Sequence, residues 1–320
     1  MNLLPRCLLA AALLGACPPA FAGDGAGTSS AMFLTLPHDP VGAALGGVTS
    51  VGRASPFSVL GNPAGLADAP GRSAEFSHSF WLDGVSYNTL AAAGPYGGGV
   101  AAFGLRYLRY GEIDALDNSG ASAGSYSPRD ASFSAGWGVR NGRWTAGAAV
   151  KYVSSRIDAS ADAFAADGGL GYSAGDYSGG ISLENLGGKL KFGREEYPLP
   201  LQFKAGASRR LASGARLLLE GVLPRSGPGW LCAGGEYPLS LRGMAFALRG
   251  GYSGRYGRTG GLNGLTLGMG ISSGDLTFDY ALTEAGELGA AHQFGLGLRW
   301  GGPSSVSDAE KPGMMLFIPG

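Results

Sequence analysis

Gly270-Ile271-Ser272-Ser273-Gly274 has the Gly-x-Ser-x-Gly spacing with which hydrolases present a serine nucleophile. That chemistry needs a strand feeding a helix, and here alternating runs lie on both sides of the motif, so one strand turns into another and the match is coincidental. The three histidines, His38, His78 and His292, lack metal-ligand spacing and are expected as polar rim residues. Gly169-Leu170-Gly171 looks like part of a phosphate loop, but no helix follows it. Catalytic residues, metal ligands and cofactors are therefore all expected to be none, and the chain is not read as an enzyme.

The cysteines point the same way. Arg6, the apolar run Leu8 to Ala16 and Ala20-Phe21-Ala22 form a secretory signal over residues 1–22. Leu14-Gly15-Ala16-Cys17 is the competing reading, a lipobox that would lipidate Cys17. Cleavage after Ala22 removes Cys7 and Cys17 and leaves Cys232, so neither a disulfide nor a cysteine metal cluster is expected. Acidic and basic residues balance at 24 each and are scattered among 59 glycines in 320 residues, which argues against a nucleic-acid partner. No run approaches the roughly 18 apolar residues of a membrane helix, a test that says nothing of strands.

The elements that must position side chains are strands. Leu265, Leu267, Met269 and Ile271 alternate with small or polar residues, and Phe294, Leu296, Leu298 and Trp300 do so again. Such segments recur at 73–82, 84–93, 98–110, 130–140, 143–156, 162–173, 176–184, 199–211, 215–223, 228–237, 244–253, 262–272, 275–284 and 290–300, fourteen in all. Asn141-Gly142, Ala174-Gly175, Ser213-Gly214 and Ser273-Gly274 are compact turns, whereas 111–129, 185–198 and 254–261 are long connections. Short turns on one rim and long loops on the other describe an outer-membrane barrel with its short rim in the periplasm. An even strand count puts both chain ends on that periplasmic side. A soluble sandwich also alternates, but its polar face should be rich in Lys and Glu. Here that face is Gly, Ser, Thr and Ala with about one charge per strand.

The expected fold is thus an all-β, antiparallel transmembrane barrel of about fourteen strands over 73–300, with outer-membrane lipid against its apolar face. The opposite parity lines the lumen and carries Arg106, Arg140, Lys151, Glu184, Lys204, Glu220, Arg249, Asp279 and Arg299, read chiefly as a salt-bridged wall. Residues 23–72 are too proline-rich for barrel strands, yet apolar enough to need burial. They are read as a hatch in the barrel mouth, with Asn62-Pro63-Ala64-Gly65 as a rigid turn: Asn62 bonds to nearby backbone, Pro63 fixes φ and Gly65 permits the reversal. Residues 301–320, ending in Met314-Met315-Leu316-Phe317-Ile318, form a periplasmic tail or supply a different last strand.

Pro40-Val41-Gly42-Ala43-Ala44-Leu45-Gly46-Gly47-Val48, then Asn62-Pro63-Ala64-Gly65-Leu66, then Glu75-Phe76-Ser77-His78-Ser79-Phe80-Trp81 resemble the N-terminal signature of the PorV/PorQ proteins, relatives of the FadL fatty-acid and toluene transporters. The resemblance is specific over about residues 32–112. It implies a hatch bearing Gly46, Gly47 and Asn62 to Gly65 as gate. The FadL branch implies passage of a hydrophobic small molecule. The PorV branch implies partners in type IX secretion, with loop 111–129 or the tail as docking surface.

Overall fold

The computed structural model describes residues 28–51, 53–81, 84–117, 119–157, 159–256, 263–284 and 289–301. The signal, Cys7, Cys17 and the tail with Phe317 and Ile318 lie outside them.

Fourteen antiparallel strands close into one barrel. They are β1 (Arg72–Phe80), β2 (Ser86–Tyr96), β3 (Gly99–Arg109), β6 (Arg129–Asn141), β7 (Trp144–Arg156), β8 (Ser160–Ala174), β9 (Tyr177–Gly187), β12 (Gln202–Arg210), β13 (Arg216–Pro224), β14 (Trp230–Leu241), β15 (Met244–Ser253), β16 (Leu265–Ser273), β17 (Leu276–Glu284) and β18 (Ala290–Trp300). The seam pairs β1 with β18, Phe76 opposite Leu296, so the sheet has no free edge. All fourteen strands read from periodicity are present. The long connections hold more than loops: β4 (Ile113–Leu116) pairs with β5 (Ser122–Tyr126), and β10 (Lys189–Phe192) with β11 (Glu195–Pro198). These pairs are too short to show a period of their own, which is why alternation did not reveal them.

The parity is as expected. Phe103, Leu219, Leu267, Leu276 and Leu296 stand exposed on the outer face, while their neighbours Ala102, Leu218, Glu220 and Thr266 are buried. Trp144, Tyr172 and Trp300 lie at the short-turn rim, the first two with rings 4.7 Å apart. Gly142, Gly175, Gly214 and Gly274 close their turns at φ between 56° and 84°, the left-handed region that only glycine enters freely. One register shift interrupts the barrel ladder, between Ala166 and Gly168 of β8. There β9 carries an extra residue, Asn185 at φ 64°. The bulge turns both Glu184 and Asn185 inward before Leu186 resumes the outer face.

Residues 28–71 occupy the lumen. They comprise a five-residue helix, α1 (Pro40–Ala44), capped by Asp39 through Gly42 N–H, and 3-10 turns at Met32–Thr35, Pro56–Leu60 and Pro63–Asp68. Phe33, Leu45, Val59, Leu60 and Leu66 are all buried in this segment. The wall yields space for it at glycines. A Cβ on Gly147 would lie 2.3 Å from the Pro63 carbonyl, one on Gly180 2.1 Å from Ser50 O, and one on Gly251 2.4 Å from Gly46 N. The inward face is therefore small because main chain lies directly against it.

The segment runs the length of the lumen. Asp68 meets Arg140 at the short-turn rim, whereas Ser30 N–H donates to Pro198 O at the long-loop rim. Both barrel ends, Arg72 and Trp300, sit at the short-turn rim as expected. The described N-terminal end does not: Thr28 reaches Ser226 beside the long loops. The lumenal segment thus threads the barrel instead of folding back at its mouth.

Candidate functional site

The Asn-Pro-Ala-Gly turn is the best-fastened part of the segment. Asn62 Oδ1 accepts from Ala64 N–H at 3.0 Å, while its Nδ2 donates to Ser50 O at 2.7 Å and to Ile181 O of β9 at 3.3 Å. One side chain thus caps the Pro63 turn, binds a second stretch of the segment and touches the wall. Pro63 takes the first helical position, where its missing N–H costs nothing. The expected part for Gly65 needs correction. Its φ is not left-handed, and it is required for room, since a Cβ would lie 2.6 Å from Ser58 Oγ. Gly46 and Gly47 do have positive φ, 75° and 90°, and Gly46 N–H donates to Thr266 Oγ1.

Most of the lumen charges meet carboxylates or the segment. Lys151 pairs with Asp167 at 2.6 Å and Lys204 with Glu184 at 3.0 Å. Glu220 accepts from Thr49 and Ser50 N–H at 2.9 and 2.5 Å. Arg249 bridges Glu236 and Asp279, each at 2.7 Å. Arg53, from the segment, joins this second network through Asp39 at 3.0 Å, Glu75 at 2.9 Å and Asp279 at 3.8 Å. Two predicted lumen residues belong to the rim instead. Arg140 is exposed and grips Asp68, and Arg299 donates to Gly274 O in the turn. Arg106 is fully buried and donates to Leu60 O.

Sequence reasoning missed Arg53, Asp39, Glu75, Asp167 and Glu236. The strand members were findable: Glu75 precedes outward Phe76, and Glu236 precedes outward Tyr237, so parity alone turns both inward. Asp39 and Arg53 lie in a stretch without a period and gave no such signal.

His38 is also corrected. His78 and His292 are near the long-loop rim, bonded to Asn88 and Tyr280, but His38 is buried at mid-lumen beside Asp39 and Phe57. Burial pulls its imidazole down to a pKa of about 3, against a smaller opposing pull from Asp39. Burial alone would raise the Asp39 carboxyl, but the Arg53 guanidinium and the Gly42 N–H hold it below its ordinary value. The pair is thus a neutral ring beside an ionised carboxylate.

Cavities succeed one another between the segment and the wall, bordered by β12–β14 at the long-loop rim and by β7–β9 and β12 at the short-turn rim. A chamber of about 200 Å³ opens at the long-loop rim, with Met32, Pro200, Leu201, Pro228 and Trp230 on its walls. Through Gln202, Trp230 and Arg255 it adjoins a pocket of about 40 Å³ at Arg106 and Lys204. A further pocket of about 30 Å³ lies beyond His38 and Thr49, and one of about 180 Å³ lies past Asn62 and Arg216 at the short-turn rim. The outermost neck is therefore made by the barrel wall and a long loop, the middle one by His38 and Thr49 of the segment, and the innermost by Asn62 together with Arg216 of β13. Among the described residues no cluster of His, Cys, Asp and Glu is suited to a metal.

No protein-family model matches the chain, and no curated protein matches it by sequence. Solved structures do. The TodX ΔS2S3 mutant, a monoaromatic hydrocarbon channel, aligns with a TM-score of 0.57 at 13% identity over 81% of this chain and 97% of that one. The Ralstonia pickettii toluene transporter TbuX gives 0.55 at 15% identity over 84% and 100%, and a Pseudomonas aeruginosa FadL homologue gives 0.51 at 11% over 81% and 97%. At these identities the likeness establishes the barrel architecture.

Proposed function

We propose that the protein is an outer-membrane channel of FadL type that takes up hydrophobic small molecules from outside, with residues 23–72 as its hatch. The observation that carries this reading is the chamber at the long-loop rim. Its volume of about 200 Å³ and its largely apolar surface, with Met32, Leu201, Pro228 and Trp230 beside Arg225 and Arg255, suit a one-ring compound, since an apolar cavity of about 150 Å³ accepts benzene. The aligned structures of hydrocarbon and toluene channels support the same class of cargo. In this reading the short-turn rim faces the periplasm, and Gly46, Gly47 and the Asn62 turn form the gate. Cargo passes inward when the Asn62 and Glu220 fastenings release.

Cells lacking the gene, complemented with wild type or Trp230→Glu, should be compared for uptake of labelled toluene and of a labelled fatty acid. Uptake restored by wild type and reduced at least several-fold by Trp230→Glu is expected, whereas equal uptake in all three strains would refute transport.

A second reading, PorV-like docking of exported proteins, has one observation in its favour. The β4–β5 hairpin projects from the long-loop rim with Ile113 and Tyr126 exposed. Its deletion should abolish co-purification of a secretion partner if that reading is right, and leave hydrocarbon uptake intact if it is not.

A further inference from the structure

Arg106 stands apart from the other deeply buried cations of the lumen. Lys151, Lys204 and Arg249 each hold a carboxylate, but among the described residues no carboxylate lies within ion-pair distance of Arg106, which is 1% exposed. Nη2 donates to Leu60 O, while Nε and Nη1 have no hydrogen-bond partner. A guanidinium does not discharge by losing its proton, so its charge persists. A buried charge left without its counter-charge is strongly destabilising. Neighbouring polar atoms share the deficit: Tyr87 OH and Ser132 Oγ are buried and unpartnered, and Ser132 sits directly across the ladder from Arg106.

Arg106 borders the mid-lumen cavity of about 40 Å³, together with Lys204, Gln202 and Ser253. On that measure one water needs about 10–15 Å³. The pocket therefore admits a halide with a water or two, or a carboxylate group, and nothing larger. Glu184 also lines it, but that carboxylate is already held by Lys204 and Ser182.

We propose that this cavity is an anion site, in which Arg106 takes up one small monovalent anion through Nε and Nη1. The anion has two sources, a free halide or the carboxylate end of an amphiphile whose apolar body fills the adjoining rim chamber. The site does not depend on hydrocarbon passage: a barrel that fails every uptake assay can still bind the ion.

Purified full-length protein should be melted at constant ionic strength while the MES anion, whose sulfonate head is larger than the carboxylate the pocket admits, is exchanged for bromide. Wild type should gain about 5 °C in Tm at a hundredfold excess over Kd, rising with the logarithm of bromide concentration. Arg106→Gln keeps a donor for Leu60 O and should show no bromide response. An unresponsive wild type, or an equal response in the variant, overturns the site. If the variant does not fold, crystals of wild type soaked in bromide decide the matter. Anomalous density against the guanidinium sustains the proposal, and its absence at saturating bromide defeats it. Benzoate acting at lower concentration than bromide, and displacing it, identifies a ligand carboxylate as the source; bromide acting at the lower concentration identifies free halide.

Discussion

At the scale of the residue, Asn62 concentrates three interactions in one amide. Asn62→Ala removes them and leaves Ser50 O and the Ala64 N–H to find other partners in a dry place, which should cost about 1–3 kcal/mol of hatch docking. Limited proteolysis in the stretch 48–60 should accelerate accordingly, while the barrel itself stays resistant. His38 supplies a pH dependence of known sign. Its value in the docked segment, about 3, lies below the ordinary 6.5 of a solvated ring, so the released segment binds a proton first. Docking is at full strength above pH 6.5 and weakens as pH falls from there toward 3, by at most about 1.4 kcal/mol per pH unit. The depressed Asp39 carboxyl adds its own loss only at the acid end of that range. His38→Gln should flatten the decline between pH 6 and 4 in the same proteolysis assay.

At the scale of the element, periodicity exposed the strands and the face each turns outward, because lipid and lumen impose opposite demands on alternate residues. What it could not expose is which charge meets which. Lys204 and Glu184 are on paired strands, but Arg53 finds Glu75 of β1 and Asp279 of β17 only because the segment enters the lumen and faces both strands across β18. The extra residue in β9 was equally hidden, since Leu183 and Leu186 are each plausible outward residues and only the register shows that two inward residues intervene. The glycine-rich lumen face was legible as composition, but its reason was not: the contacts that exclude a Cβ come from a segment far away in sequence. Gly147→Ala and Gly168→Ala separate these effects. A Cβ on Gly147 strikes Pro63, whereas one on Gly168 meets nothing within 4 Å, and neither glycine has a positive φ. The first variant should unseat the segment and raise conductance in planar bilayers, and the second should behave as wild type.

At the scale of the whole molecule, the arrangement inverts that of a soluble domain, with ion pairs within and leucines without. Leu219 stands at the middle of β13, on the outer face, directly before buried Glu220. Leu219→Arg should destabilise the protein in liposomes by about 2–4 kcal/mol, measured by urea unfolding. The same change in a detergent micelle, which deforms around a charge, should cost less.

The lumenal segment lies along the barrel axis from one rim to the other, and this sets how it answers a mechanical load. Tension on its lower end, at residues 69–71, would fall first on the Asp68 clasp, next on Asn62, then on the Glu220 grip, and last on Ser30. Fasteners met in succession rupture in turn at modest force, as a zip does, whereas the same bonds arrayed side by side would all have to fail together.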